Sequence, residues 1–169
     1  VQPLATLSGW GNACDAFHQT ASSEEGIGAV LAMQAALRRA GLQPADIGYI
    51  NAHGTGTPNN DASELAAVRS VFPTLPPLSS TKSATGHTTS ASGSVEAVIS
   101  LLALQHHFLP ANLHWSSAMD GDFTPVLVPT PAPQLHHVLC NAFAFGGNDT
   151  ALVFSHYDTV QSCLLYTSP

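Results

Sequence analysis

The strongest pattern along the chain runs from residue 90 to 107. There Val95, Val98, Ile99, Leu101, Leu102 and Leu104 leave almost no polar side. A helix apolar nearly all round is one that its surroundings bury, so a buried helix is predicted here. The run 24–40 reads differently. It is rich in Ala, Leu and Met, with Glu24 and Glu25 at its start, Arg38 and Arg39 at its end, Gly41 as a C-cap and Pro44 beyond. That predicts a helix whose charges match its dipole. A third helical pattern covers 61–71 and is broken by the prolines of 73–77.

Short apolar segments fill the gaps. Residues 4–10, 47–51 and 78–80 read as strands, and 138–145 and 151–155 as two more joined by Gly146-Gly147-Asn148-Asp149, a hairpin signal. Residues 110–133 are proline-rich and irregular. The order is strand, helix, strand, helix, strand, helix, strand, strand. It predicts an α/β layered domain, a mixed five-stranded sheet with helices on its faces. A length of 169 residues suits one such domain with a proper core. The domain is expected over 1–156; 157–169 adds nothing periodic and is expected to be an unstructured, non-native tail.

Composition changes the picture in two ways. Charged residues make up only 9% of the chain, against roughly 25% in an ordinary soluble domain. So sparse a surface implies that much of it is covered, by a partner subunit or by a missing part of the same chain. The start, VQPLATLSGWG, reads like the middle of a protein, with neither initiator Met nor targeting segment, so a fragment is expected. The net charge is -7, which argues against nucleic acid or an anionic membrane as partner, since both need basic footprints. No apolar run approaches the ~20 residues that cross a bilayer. Cys14, Cys140 and Cys163 fit no zinc spacing, and an odd count favours a reducing, cytoplasmic setting.

Candidate chemistry lies in three Gly-rich loops, each following a strand: NAHGTGTP (51–58), STKSATGH (80–87) and NAFAFGGND (141–149). In α/β sheets, sites form at the carboxyl ends of strands, so these loops should converge. Two carry a histidine beside a glycine, His53 and His87, and one carries the only lysine of the chain, Lys82. Seven other histidines have no such context and read as surface or structural. Asp61 and Glu64 fit a simple helix-dipole role in the first turn of their helix. Glu96 lies in the helix too apolar to solvate it, so it needs a partner, Lys82 or a His. Phe143 and Phe145 alternate along a strand and are expected on one face. Thr55 and Thr57 satisfy loop backbone or hydrogen-bond an extended polar substrate arm. The loops lack Walker and GxGxxG spacing, and the histidines lack HxH, HxxxH and HExxH spacing, so no metal site is expected.

The three loops, in this order, resemble the β-ketoacyl-acyl-carrier-protein synthases, condensing enzymes of the thiolase superfamily. The resemblance runs from about Leu4 to Ser155 and covers only the C-terminal half of that family's chain. It implies a decarboxylative Claisen condensation in fatty-acid or polyketide-type synthesis, with substrates carried on the phosphopantetheine of acyl-carrier protein and no other cofactor. By match, His53 and His87 are the two active-site histidines, Lys82 the lysine beside them and Glu96 its buried partner. Thr55 and Thr57 match pantetheine-binding threonines. Phe145, with Gly146 after it, matches the gate whose backbone N–H helps form the oxyanion hole, and Phe143 lines the same pocket. The nucleophilic cysteine belongs to the absent N-terminal half; none of the three cysteines here matches it. The loop ends GGND where many relatives have GGTN. Expected partners are acyl-carrier protein, the missing half, and a second synthase subunit in a homodimer or heterodimer. A non-catalytic partner subunit of the chain-length-factor type, a metal-dependent hydrolase and a carrier-binding module remain as alternatives.

Overall fold

The computed structural model describes residues 3–118 and 123–157; the segment read as a tail lies, from residue 158 on, outside them. The chain runs β1 (Ala5–Cys14), α1 (Ile27–Ala40), β2 (Tyr49–Asn51), α2 (Pro58–Val71), β3 (Leu78–Ser79), α3 (Lys82–Thr85), α4 (Ser92–His106), β4 (Phe108–Leu109), β5 (Thr130–Pro131), β6 (His137–Ala144) and β7 (Asn148–His156). The five expected strands form one sheet in the order β1-β7-β6-β2-β3, and β4 pairs with β5 apart from it. The pairing of β2 with β3 and β6 is parallel, while β7 is antiparallel to both β6 and β1. The sheet is therefore mixed, and the carboxyl ends of β1, β2, β3 and β6 all reach one edge.

Two helices lie on one face of this sheet and one on the other. β1 carries Gly9 and Gly11 toward α1. A methyl group at Gly11 would lie 1.9 Å from the Ala32 carbonyl oxygen, and one at Gly9 2.2 Å from that of Ala36. The alanines of α1 and the glycines of β1 thus let helix and strand meet almost backbone to backbone. On that face Ala32, Met33, Ala36, Val68, Ile50, Leu139 and Val153 form a dry core. On the other, Tyr49, Val138, Cys140 and Phe154 pack under Ala103 and Leu104 of α4. β6 alternates between the two, Leu139 and Phe143 to one side and Val138 and Cys140 to the other, as a strand covered on both faces must.

Three expectations are corrected. α1 starts at Ile27, behind Gly26 in the left-handed region (φ 61). Glu24 and Glu25 therefore lie outside its first turn, and only the Arg38–Arg39 end matches the dipole. α4 is not buried all round. Ser92, Glu96, Ser100, Ala103 and Leu104 face the sheet, while Val98 and Leu102 stay 55% and 41% exposed. A single sheet covers a single side of a helix. Finally, Phe143 and Phe145 do not share a face. β6 ends at Ala144, and the turn through Gly146 (φ 79) and Gly147 (φ 73) swings Phe145 out to 76% exposure while Phe143 stays buried. Among the described residues, no helix is long and apolar enough to cross a membrane.

Candidate active site

The shared sheet edge brings His53, Lys82, Glu96 and His87 together. His53 follows β2 directly and is buried. Lys82 opens α3, the short turn after β3, and is buried too. Its ammonium has three donors and uses all of them: on Glu96 Oε1, on the His53 carbonyl oxygen and on His53 Nδ1, the last at 3.2 Å. Glu96 projects from the covered face of α4, and its Oε1 also accepts from Ser92 Oγ at 3.1 Å. The partner that a carboxylate in so apolar a helix requires is therefore Lys82.

These contacts fix the tautomer of His53. An ammonium can only donate, so Nδ1 accepts and the ring hydrogen sits on Nε2. Burial, then the Lys82 charge, then His87 push the His53 pKa down to about 3. The ring stays neutral at any physiological pH. Burial also lowers Lys82 to about 8, against the pull of Glu64 and other acidic groups.

His87 reaches the same place differently. It is exposed, at the end of the loop after α3. Its Nδ1 accepts the backbone N–H of Thr89 at 3.1 Å, which again leaves the hydrogen on Nε2. Thr89 adopts φ 51 to make that bond. The two imidazoles stand 5.5 Å apart, centroid to centroid, with planes at 86°. Phe143 also packs against His53, 5.8 Å between centroids with the rings tilted at 53°.

The remaining residues read from the sequence lie on loops that leave the same sheet edge. The hydroxyls of Thr55 and Thr57 are 2.9 Å apart on the loop leaving His53. Phe145 stands exposed on the turn after β6, and Gly146 N–H donates to the Gln19 carbonyl oxygen at 2.9 Å. Neither described cysteine joins the group. Cys140 is buried in β6, where burial pushes its thiol up to about 11, and Cys14 is exposed at the end of β1.

Sequence reasoning misassigned Glu64. It does not serve the α2 dipole. Its side chain turns inward, fully buried, and accepts from His53 N–H (2.9 Å), Gly54 N–H (2.8 Å) and Asn141 Nδ2 (3.1 Å). It thereby ties the backbone at His53 to β6. Burial raises its pKa, opposed by these three donors. The signal was present: Glu64, Ala67, Val68 and Val71 form an i, i+3, i+4, i+7 stripe, and a carboxylate on an apolar stripe needs a partner, as Glu96 does.

Comparison with known proteins matches residues 4–116 to the family described as "Beta-ketoacyl synthase, C-terminal domain". The chain is 38% identical over 157 residues to 3-oxoacyl-[acyl-carrier-protein] synthase 2 of Vibrio cholerae, covering 89% of this chain and 38% of that one. It is 42% identical over 160 residues to the mitochondrial 3-oxoacyl-[acyl-carrier-protein] synthase of Arabidopsis thaliana, covering 89% of this chain and 34% of the relative. Among solved structures, the ishigamide ketosynthase/chain length factor superposes with a TM-score of 0.87 at 32% identity, covering 93% of this chain and 39% of that one. The fold is that of the thiolase-like ketosynthases. The chain belongs to the β-ketoacyl synthase family and corresponds to its C-terminal domain. It spans 38% of the length of the Vibrio cholerae relative.

Proposed function

We propose that this chain supplies the decarboxylating half of a 3-oxoacyl-acyl-carrier-protein synthase site, within a longer acyltransferase. The observation that carries the reading is the matched pair of tautomers. Both histidines commit Nδ1 as an acceptor, one to Lys82 and one to the Thr89 backbone, so both hold N–H at Nε2. Two neutral N–H donors side by side can bind one developing oxyanion without a change in charge.

In the reaction, the bond between the malonyl methylene and its carboxylate breaks and CO2 leaves. Its electron pair moves into the thioester as an enolate, whose oxygen accepts from His53 and His87. The enolate carbon then attacks an acyl thioester on a cysteine, the cysteine sulfur leaves as thiolate, and the lengthened 3-oxoacyl chain remains on the carrier. The buried Cys140 and the exposed Cys14 are not placed for that role, so the nucleophile comes from the part of the protein N-terminal to this domain. Lys82 and Glu96 position His53. Thr55 and Thr57 bind the pantetheine arm, Phe143 lines the pocket, and Phe145 with Gly146 gates it and lends its backbone N–H to the acyl oxyanion. The domain is assigned to residues 1–156. The substrates arrive on acyl-carrier protein, no other cofactor is used, and the synthase works in the cytoplasm as a dimer, with itself or with a second synthase subunit.

The test uses the complete reading frame, assayed for decarboxylation of malonyl-acyl-carrier protein and for condensation. His53→Ala and His87→Ala should each lower decarboxylation by about 10²–10³, the usual effect of losing one oxyanion donor. Wild-type rates in both variants, or an upstream sequence without a nucleophile, would assign the chain to a non-catalytic, chain-length-factor-type partner.

A further inference from the structure

Two loops meet at the mouth of the site, and a pair of acids lies beneath them. After β1 the chain enters the loop 15–20, and after β6 the turn 145–147. Each carries an exposed aromatic ring, Phe17 at 60% and Phe145 at 76%. The loops are laced together: Asp15 N–H donates to the Gly147 carbonyl oxygen (3.2 Å), Gly146 N–H to that of Gln19 (2.9 Å), and Cys14 Sγ to that of Gly146 (3.3 Å). Below them the β1–β7 ladder pairs Ala13 with Asp149.

Asp15 organises the first loop. Its Oδ1 accepts from Phe17 N–H (3.0 Å) and its Oδ2 from Ser23 N–H (3.4 Å). Two glycines leave room for the acids, and both acids border Gly28. A methyl group at Gly147 would lie 2.0 Å from Asp15 Oδ1. One at Gly28 would lie 2.1 Å from Asp149 Oδ2 and 3.2 Å from Asp15 Cβ. Asp149 is 5% exposed. The charges acting on it are those of Asp15, from the loop, and Glu64, from α2, both negative. Its cross-strand partners Ala13 and Phe143 and the neighbouring Gly28 on α1 carry none.

We infer that Asp15 and Asp149 form a proton-dependent latch, closed when Asp149 holds a proton and loosened when both acids ionise, which couples the loop 15–20 to the Phe145 turn. A protonated carboxyl beside an ionised one can donate a hydrogen bond and carries no repulsion; two ionised ones, one of them buried, repel. Asp149 sits in a two-sided ladder, so the less anchored loop hung on Asp15 is the part that yields. Burial first, then Asp15, then Glu64 push Asp149 up to about 7, which puts the change within the physiological range. Its consequence for catalysis rests on the reading of Phe145 as a gate; the coupling itself does not.

The experiment is amide hydrogen exchange on the complete protein from pH 5.5 to 8.5, comparing wild type with Asp149→Asn at each pH so that intrinsic base catalysis cancels. Asn has the shape of the protonated acid and cannot ionise. Protection of the Phe17, Ser23 and Gly146 amides in wild type should match the variant at pH 5.5. Above pH 7 it should fall behind by up to about tenfold per pH unit, the limit for a single linked proton. A parallel carboxyl-carbon NMR titration of wild type should place the Asp149 midpoint near neutrality, and it reads the same proton should the variant fail to fold. Equal protection in wild type and variant at every pH, or a midpoint near that of an ordinary aspartate, overturns the latch. Neither readout needs catalysis, so loss of the latch and loss of the condensing reading are told apart.

Discussion

The two histidines stand 5.5 Å apart, centroid to centroid, but are held by opposite means. His53 is buried and held by buried ionisable side chains: Lys82 holds the ring, Glu64 holds the backbone and Glu96 holds Lys82. His87 is exposed and held by one backbone N–H from a residue in the left-handed region. The same tautomer can thus be reached with three buried ionisable side chains or with a single bent turn. The first is stiff and sensitive to any partner's loss, the second is tolerant of its surroundings but not of its backbone.

The largest effect should come from breaking the ionic half. Lys82→Met leaves Glu96 buried without its cation, and unpairing a buried charge typically destabilises by about 3–5 kcal/mol. Adding Glu96→Leu should restore much of that stability, though not the rate, since His53 Nδ1 then has no donor and the ring is free to carry its hydrogen on the wrong nitrogen. Urea midpoints and decarboxylation rates of the two variants test both limbs. A double variant as unstable as the single would show that Lys82 is held by packing and not by the pair.

Next comes Glu64→Ala. It orphans the N–H groups of His53 and Gly54, and each buried, unsatisfied group costs about 1–3 kcal/mol. Stability should fall by at least that much, and decarboxylation should fall further than acyl transfer to the cysteine, because only His53 is displaced. Equal losses in the two half-reactions would assign Glu64 to general folding instead.

The contrast between the histidines also bears on what was legible in the sequence. The lone lysine and two glycine-flanked histidines announced the site, because rare residue types gathered in strand-end loops are unusual on a solvated surface. Glu96 was legible because a carboxylate set among apolar residues needs a partner. Glu64 was not read, although its stripe carries the same message, because a position read as the first turn of a helix offered an easier electrostatic account, whereas α2 starts earlier, at Pro58. The exposed side of α4 was misread, since hydrophobicity records what a helix is built to bury and not what one domain covers. Phe145 was misread because alternation stops where a strand ends, and the two left-handed glycines end it one residue earlier than the apolar pattern does. The Asp15–Asp149 pair was out of reach: it joins residues 134 positions apart through a ladder register that no local pattern encodes.

A smaller effect is expected from pH, and it separates the halves. Lys82, lowered to about 8, becomes a neutral amine above that pH, with two N–H groups left for its three acceptors and no charge beside His53, so decarboxylation should decline there. No acid limb should arise from His53 until near pH 3. Stability behaves differently. Between pH 6.5 and about 3, the unfolded chain protonates this histidine and the folded one does not. The unfolded state binds more protons there, so stability falls as pH falls through that window. Asp149 works in the opposite sense: the folded state keeps its proton up to about pH 7, so its contribution falls as pH rises from 3.8 to 7. In Asp149→Asn the second slope should vanish and the first remain, which denaturation midpoints measured from pH 4 to 8 would read directly.

The smallest effect should come from relaxing the bent turn. Thr89→Gly removes the penalty of a β-branched residue at φ 51, roughly 1–2 kcal/mol, but frees the unfolded chain by a similar order, roughly 0.5–1 kcal/mol. The two nearly cancel, and stability should move by less than about 1 kcal/mol. The donor N–H is retained, so decarboxylation should stay within about threefold of wild type. Thr89→Pro sharpens the point, for it removes that N–H and forces φ to about −65°. If His87 is held by this one bond, the proline variant should approach His87→Ala in rate while the glycine variant does not. Should both variants keep the wild-type rate, the hydrogen on His87 Nε2 is fixed by something other than the turn, and the contrast between the two histidines would have to be drawn from burial alone.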